Sequence, residues 1–362
     1  MYKDEFLEKR LAERIARHAL RTLITTDSLI DFCSNDYLGI ASKGLLCNVG
    51  GGLGTGSGGS RLLAGNYPLI EEVEKHIAHF HHAETGLLFN SGYDANVGLL
   101  SAIAQRTDTI YYDQLSHASL RDGIVLSKAN AFSFQHNDLA DLEKKLQHRT
   151  GNCFIVTESL FSMDGDFCDL RNLVMIANKY NAHLIIDEAH ATGVIGEKGE
   201  GLVQQLGFEH AVFARIHTFG KAVGCHGAVV LGSNRLQSYL INFSRSFMYT
   251  TSLPPQSVAA IKAAYTLFPS MHAERKYLSS LIEVFRQSNF PYTKIKSESA
   301  IQGVIIPGND AVKAKAKQLQ EENIDVRAIL YPTVPKGAER LRIILHAFNT
   351  ETELKKLIAL LQ

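Results

Sequence analysis

From residue 85 onward, short unbroken apolar runs alternate with stretches whose apolar residues recur at helical spacing. TGLLFNS (85–91), TIYYD (109–113), AFSFQH (131–136), CFIVTES (153–159), HLIIDEA (183–189), ARIHTFG (214–220) and GAVVLG (227–232) read as strands. Runs such as 153–159 and 183–189 are apolar throughout, the pattern of strands covered on both faces. ANVGLLSAIAQ (95–105), residues 117–127 and DLADLEKKLQH (138–148) read as helices between them. Strand and helix taking turns over about 170 residues predicts an α/β domain with a largely parallel sheet.

The flanks follow other patterns. MYKDEFLEKRLAERIARHAL is a charged amphipathic helix, and LIDFCSNDYLGIA (29–41) a short strand entering a turn. GGGLGTGSGGSRLLAG (50–65) is too rich in glycine for regular structure. After residue 255 long helical segments lead to SAIQGVIIPG, a helix at 310–322, IDVRAIL, RLRIILHA and a last helix at 350–361, a smaller α+β domain. The expected division is an N-terminal arm at 1–48, a large domain at 49–254 and a small domain at 255–362.

Length and charge narrow the function classes. A chain of 362 residues is comfortable for two domains. Lys+Arg and Asp+Glu both total 37, so no basic surplus exists to attract nucleic acid or an anionic membrane. The five cysteines are scattered without a C-x-x-C pair, which speaks against a disulfide framework or zinc site and for a reducing compartment. The N-terminus lacks the apolar core of a secretory signal, and no apolar run approaches the ~20 residues of a membrane span. A cytoplasmic protein is expected.

Three strings invite readings that their context refuses. GTGSGG (54–59) fits G-x-G-x-x-G, but no buried strand precedes it and the following acids, Glu71, Glu72 and Glu74, sit on a helix. DEAH (187–190) ends an apolar strand as in helicases, yet no G-x-x-x-x-G-K-[ST] loop exists to hold nucleotide phosphates. HIAHFHHAE carries His76, His79, His81 and His82 without matching carboxylate or cysteine ligands, so a solvent-facing helix is expected and no metal.

In HTFGKAVGCHGAVV (217–230), one lysine, Lys221, stands among small and apolar residues, where a charge is costly without compensation. Asp187 and His190 end another predicted strand, and SHAS (116–119) and NSGYDAN (90–96) follow two more. Each has an ordinary explanation alone, but all can converge on the carboxyl edge of one sheet, where α/β proteins bind ligands. Together they supply what pyridoxal phosphate requires. A lysine in an apolar setting has its pKa lowered for imine formation, and a carboxylate keeps the pyridine nitrogen protonated. His117 or His190 can face the ring. Ser91, Gly92 and Tyr93, at a strand-to-helix junction, can hold a phosphate.

SNDYLG, GTGSGGSRLLAGNYPLIEEVE, DQLSHASL, TESLFSMDGD, DEAHATGVIGEKGEG, TFGKAVG, YTTSLPP and PTVPKGAERLR occur in that order. Over essentially the whole length the chain resembles the α-oxoamine synthases. The resemblance implies a fold-type-I pyridoxal-phosphate transferase with a mostly parallel seven-stranded sheet and a smaller α+β C-terminal domain. It implies Lys221 as the Schiff-base lysine and later the proton-transferring base, Asp187 at the pyridinium nitrogen, and His117 stacked on the ring. It implies His190 and Ser162 near the phenolic oxygen, and Gly92, Tyr93 and Thr218 at the phosphate. Thr251 would reach the phosphate of a neighbouring subunit, making the enzyme a homodimer. Arg342 would bind the amino-acid carboxylate, with Arg21 and Asn35 at the substrate site.

The implied reaction is decarboxylative condensation of L-alanine with a pimeloyl thioester, carried on coenzyme A or an acyl carrier protein, a step towards biotin. Glycine with a short acyl-CoA, an aminotransferase, and a non-catalytic protein on the same fold are the alternatives. The sequence departs from the family's pattern in a shorter segment between YLG and GTGSGG and in Asn349, where a histidine is usual.

Overall fold

The computed structural model describes residues 3–25 and 28–362. Its internal contacts group residues 35–162 and 167–275 into a larger unit, and residues 1–34, 163–166 and 276–362 into a smaller one. Residues 255–275, placed in the small domain by the change of sequence pattern, group with the larger unit, as do residues 35–48 of the expected arm.

The larger unit is built on seven strands: β1 (Thr85–Phe89), β2 (Thr109–Asp113), β3 (Asn130–Phe134), β4 (Cys153–Glu158), β5 (His183–Asp187), β6 (Ala214–Thr218) and β7 (Ala228–Gly232). Their order across the sheet is β1-β7-β6-β5-β4-β2-β3. β7 runs antiparallel to both of its neighbours, and every other pairing is parallel. Burial explains the unbroken apolar runs. In β4, Phe154 and Val156 join Leu99, Leu100 and Ile124 on one face, while Ile155 joins Leu142, Leu173 and Val174 on the other. The first cluster is covered by helices α1 (Gly92–Ile103) and α2 (Ala118–Ser127), the second by α3 (Leu139–Leu146) and α4 (Leu170–Lys179).

Strand ends fall short of the apolar runs where a cap takes over. Ser91 leaves β1 to accept the Asp94 N–H as N-cap of α1, and Asp138 caps α3 in the same way. The Gly-rich stretch 50–65 contains neither strand nor helix. The histidine-rich segment is only partly solvent-facing: helix Pro68–Phe80 exposes His76 and His79, but His81, just beyond it, is fully buried with Nε2 3.1 Å from the Tyr265 hydroxyl. Glu74 on this helix is buried too, because Arg61 from the Gly-rich stretch reaches its carboxylate at 2.5 and 3.1 Å.

The smaller unit carries an antiparallel sheet of β8 (Thr293–Lys294), β9 (Ile301–Ile305), β10 (Arg327–Ile329) and β11 (Arg340–Ile344), ordered β10-β11-β9-β8. Ile30–Asp31 pairs in parallel with Ile324–Asp325. Residues 163–166 belong here because Ser297 and Ser299 both donate to the Gly165 carbonyl at 2.8 Å and Arg340 pairs with Asp164. The N-terminal helix is shorter than its pattern, Glu8–Ala16, and buries none of its residues. Among the described residues no helix is long and apolar enough to cross a membrane, and all five cysteines are free.

Candidate active site

β1, β2, β4, β5 and β6 end on one edge of the large sheet, and that edge gathers Ser91–Tyr93, His117, Ser162, Asp187, His190, Thr218 and Lys221. Lys221 sits in the tight connection from β6 to β7. Phe219 N–H donates to Gly227 O, Cys225 N–H to Phe219 O and Gly224 N–H to Lys221 O. Gly224 has φ +67° and a Cβ there would lie 2.6 Å from Ile40, so only glycine closes this loop. Phe219, Ala222 and Val223 are buried, and Lys221 itself is half-buried.

The lysine Nζ lies 2.8 Å from His190 Nε2. On its other side His190 Nδ1 lies 2.6 Å from the hydroxyl of Tyr37, which in turn donates to Asn35 Oδ1 at 3.4 Å. With Lys221 as an ammonium donor, Nε2 accepts, the ring proton is on Nδ1, and Tyr37 oxygen receives it. A single direction of donation then runs from Lys221 to Asn35. Tyr37 and His190 are both buried.

Asp187 accepts from Asn96 Nδ2 at 2.7 Å and from the Ala189 N–H at 2.9 Å. Asn96 also donates to Ser119 Oγ at 2.9 Å, and that hydroxyl lies 2.7 Å from His117 Nδ1. The Ser119 N–H donates to the same nitrogen at 3.2 Å, so Nδ1 is an acceptor and the ring proton is on Nε2. His117 N–H donates to Glu158 Oε1 at 2.7 Å. One network therefore orients Asp187 and the exposed His117 together.

At the start of α1, Ser91 Oγ takes the Asp94 N–H and Ser91 O the Ala95 N–H. The first-turn amides of Gly92 and Tyr93 face outward at the positive end of the helix. A Cβ on Gly92 would come within 3.3 Å of Thr218 Oγ1, which defines a cradle between the two strands. Ser162 is half-buried beyond β4, and Thr251 is exposed, its carbonyl held by Asn90 Nδ2 at 2.9 Å. Arg342 on β11 and Arg21, whose guanidinium donates to Thr333 Oγ1 at 3.2 Å, lie in the smaller unit. Tyr37, Asn96, Ser119 and Glu158 were not singled out in the sequence, although all four fall inside motifs that it marks.

A model of the family described as aminotransferase class I and II matches residues 27–361. The chain belongs to this family. The 8-amino-7-oxononanoate synthase of Emericella nidulans is 40% identical over 97% of this chain and 92% of its own length. An 8-amino-7-oxononanoate synthase structure from Francisella tularensis superposes with a TM-score of 0.77 at 28% identity, covering 92% of this chain and 97% of that one. A Sphingomonas wittichii serine palmitoyltransferase structure gives 0.87 at 27% identity, covering 100% and 97%. This member of the family is a pyridoxal-phosphate-dependent enzyme of fold type I.

The larger unit fits that cofactor residue by residue. Outward amides with a narrow cleft suit its phosphate, and a carboxylate held by two N–H donors suits its ring nitrogen. Lys221 with a histidine at its amine suits its aldehyde.

Proposed function

We propose that the chain catalyses decarboxylative condensation of L-alanine with a pimeloyl thioester to give 8-amino-7-oxononanoate, releasing CO2 and the carrier thiol. The observation that carries this reading is the Lys221–His190–Tyr37 chain beside Asp187 on one sheet edge, in a protein whose curated relatives bear that synthase name over nearly their full length. The carrier is coenzyme A or an acyl carrier protein, and the working form a homodimer in the cytoplasm.

Pyridoxal phosphate supplies the electron sink that makes loss of the amino acid's Cα proton feasible. The chain's residues do the rest. Asp187 holds the proton on the ring nitrogen, its carboxylate oriented by Asn96 and Ala189. His117, its ring set by Ser119, would cover one face of the cofactor ring. Gly92, Tyr93, Ser91 and Thr218 hold the phosphate, with Thr251 of the partner subunit. His190 and Ser162 take the phenolic oxygen. Lys221 would hold the cofactor's aldehyde carbon and would accept the Cα proton, its amine oriented by the His190 contact. Arg342 takes the alanine carboxylate until it leaves as CO2. Arg21 and Asn35 face the acyl donor.

The test is product formation by the cofactor-loaded protein. L-alanine with pimeloyl-CoA should release thiol and CO2 and give 8-amino-7-oxononanoate by mass spectrometry. Borohydride reduction should fix the cofactor on Lys221. Turnover confined to glycine with acetyl-CoA, or to L-serine with palmitoyl-CoA, would move the chain to another branch of condensing enzymes. A cofactor fixed elsewhere would overturn the site.

A further inference from the structure

Glu158 ends β4 directly opposite Asp187 on β5, each the other's register partner in a parallel pair, so the two carboxyl groups stand side by side. They are 2% and 5% exposed. Two buried like charges at such a place cannot both persist without compensation. Four groups face Glu158: Asp187 from β5, Lys221 after β6, the His117 N–H before α2, and Asp113 at the end of β2. One cation and one amide stand against three carboxyl groups. Asp113 lies 2.9 Å from His136 Nδ1 and accepts the Leu115 and Asn137 N–H groups, so its charge is met locally. Asp187 accepts two N–H groups, Glu158 only one.

We propose that Glu158 is a positioning residue held in its neutral form beside Asp187, so that a single negative charge faces the cofactor nitrogen while the carbonyl of the Glu158 carboxyl fixes His117. It rests on the assignment of Asp187 to that nitrogen. In other paired carboxyl sites, differing environments likewise give one partner the charge and the other the proton. Burial first, and the Asp187 charge second, push the Glu158 carboxyl up to about 8, against the opposing pull of Lys221 and the His117 amide. A group whose folded pKa is raised contributes stability that is full below its unfolded value, about 4.3, and is lost as pH rises towards the folded one.

The experiment compares wild type with Glu158→Gln, which keeps a neutral carbonyl for His117 but has no proton to lose. Infrared spectra of the apo-protein at neutral pH should show a buried protonated-carboxyl band in wild type that the variant lacks and that titrates away as pH rises past about 8. The melting temperature of wild type should fall by several degrees relative to the variant between about pH 4.3 and 8. Glu188, raised by burial to about 7, is present in both proteins and cancels. Asp187→Asn should move loss of the Glu158 band to lower pH. Identical carboxyl bands, or parallel stability profiles, overturn the proposal. Were Asp187→Asn to leave cofactor affinity unchanged, the assignment of Asp187 would fall instead, and with it the link to the cofactor. Glu158→Ala, which removes the acceptor, should weaken cofactor binding where Glu158→Gln restores it. If Glu158→Ala fails to fold, the Gln comparison still decides.

Discussion

The hydroxyl of Tyr37 lies 2.6 Å from Nδ1 of His190, across 153 residues of sequence. It leaves Nε2 of the same ring for Lys221 at 2.8 Å. The tyrosine thus decides which tautomer the lysine meets, from a position 1% exposed.

Tyr37→Phe therefore strands a buried nitrogen and frees the imidazole to present a proton to Lys221. Losing one such hydrogen bond costs about 1–3 kcal/mol. We expect turnover to fall about 10- to 100-fold by that measure, with the alanine KM little changed and the pH–rate profile displaced. Steady-state kinetics across pH checks it. An effect confined to KM would place Tyr37 in substrate binding instead.

Gly92→Ala separates cofactor binding from folding. At the first turn of α1 the alanine suits the helix, and reduced freedom of the unfolded chain should stabilise the apo-protein by about 0.4–1 kcal/mol. The same Cβ comes within 3.3 Å of Thr218 Oγ1, narrowing the cradle. Affinity for pyridoxal phosphate should drop about tenfold, a change of ~1.4 kcal/mol. Cofactor titration and a melting curve of the apo-protein should move in opposite directions. A parallel fall in both would mean that the glycine serves the fold alone.

How far the sequence discloses this site depends on the range of each interaction. β4 and β5 are legible almost to the residue because both faces are covered, which leaves an unbroken apolar run. Lys221 is legible because a charge among alanine, valine and glycine needs a reason. The partners that tune these groups are not. Tyr37 lies in a turn motif after Ser34, Asn35 and Asp36, and its partner is distant in the chain. Glu158 reads as the acid that ends a strand, since only the β4–β5 register sets it against Asp187. His81 escapes for the same reason: local pattern places it on an exposed helix, while Tyr265 holds it inside.

Gly201→Ala tests the turn behind Asp187. Gly201 has φ +98°, and a Cβ there would lie 2.2 Å from Glu188 Oε2. Glu188, next to Asp187, accepts the Leu202 and Val203 N–H groups through its other oxygen, at 2.8 and 3.2 Å. The substitution combines backbone strain with displacement of a buried carboxyl group, each costing about 1–3 kcal/mol. The melting temperature should fall by several degrees and cofactor affinity should weaken with it. An unchanged melting curve would show that the turn can rearrange freely.

Thr251 is exposed in the single chain, as are Tyr249, two residues before it, at 70%, and Leu63 at 86%, in the Gly-rich stretch whose Gly59 carbonyl accepts the Ser252 N–H. If Thr251 serves the phosphate of the other subunit, a dimer has two composite sites. Lys221→Ala removes the lysine from one chain, and Thr251→Ala removes the shared hydroxyl from the other. Each homodimer should be impaired, the first almost fully and the second by weakened cofactor binding. In the mixed dimer the Lys221-bearing chain keeps its own lysine and receives Thr251 from the Lys221→Ala chain, so one site is intact. The other carries both lesions. Mixing and refolding the two proteins should therefore restore wild-type cofactor affinity at one site per mixed dimer and about a quarter of wild-type turnover, since half of randomly paired dimers are mixed and each mixed dimer has one intact site of two. Recovered affinity read by cofactor titration supports a site completed in trans. Mixed dimers whose remaining sites bind cofactor as weakly as the Thr251→Ala homodimer would confine Thr251 to its own chain.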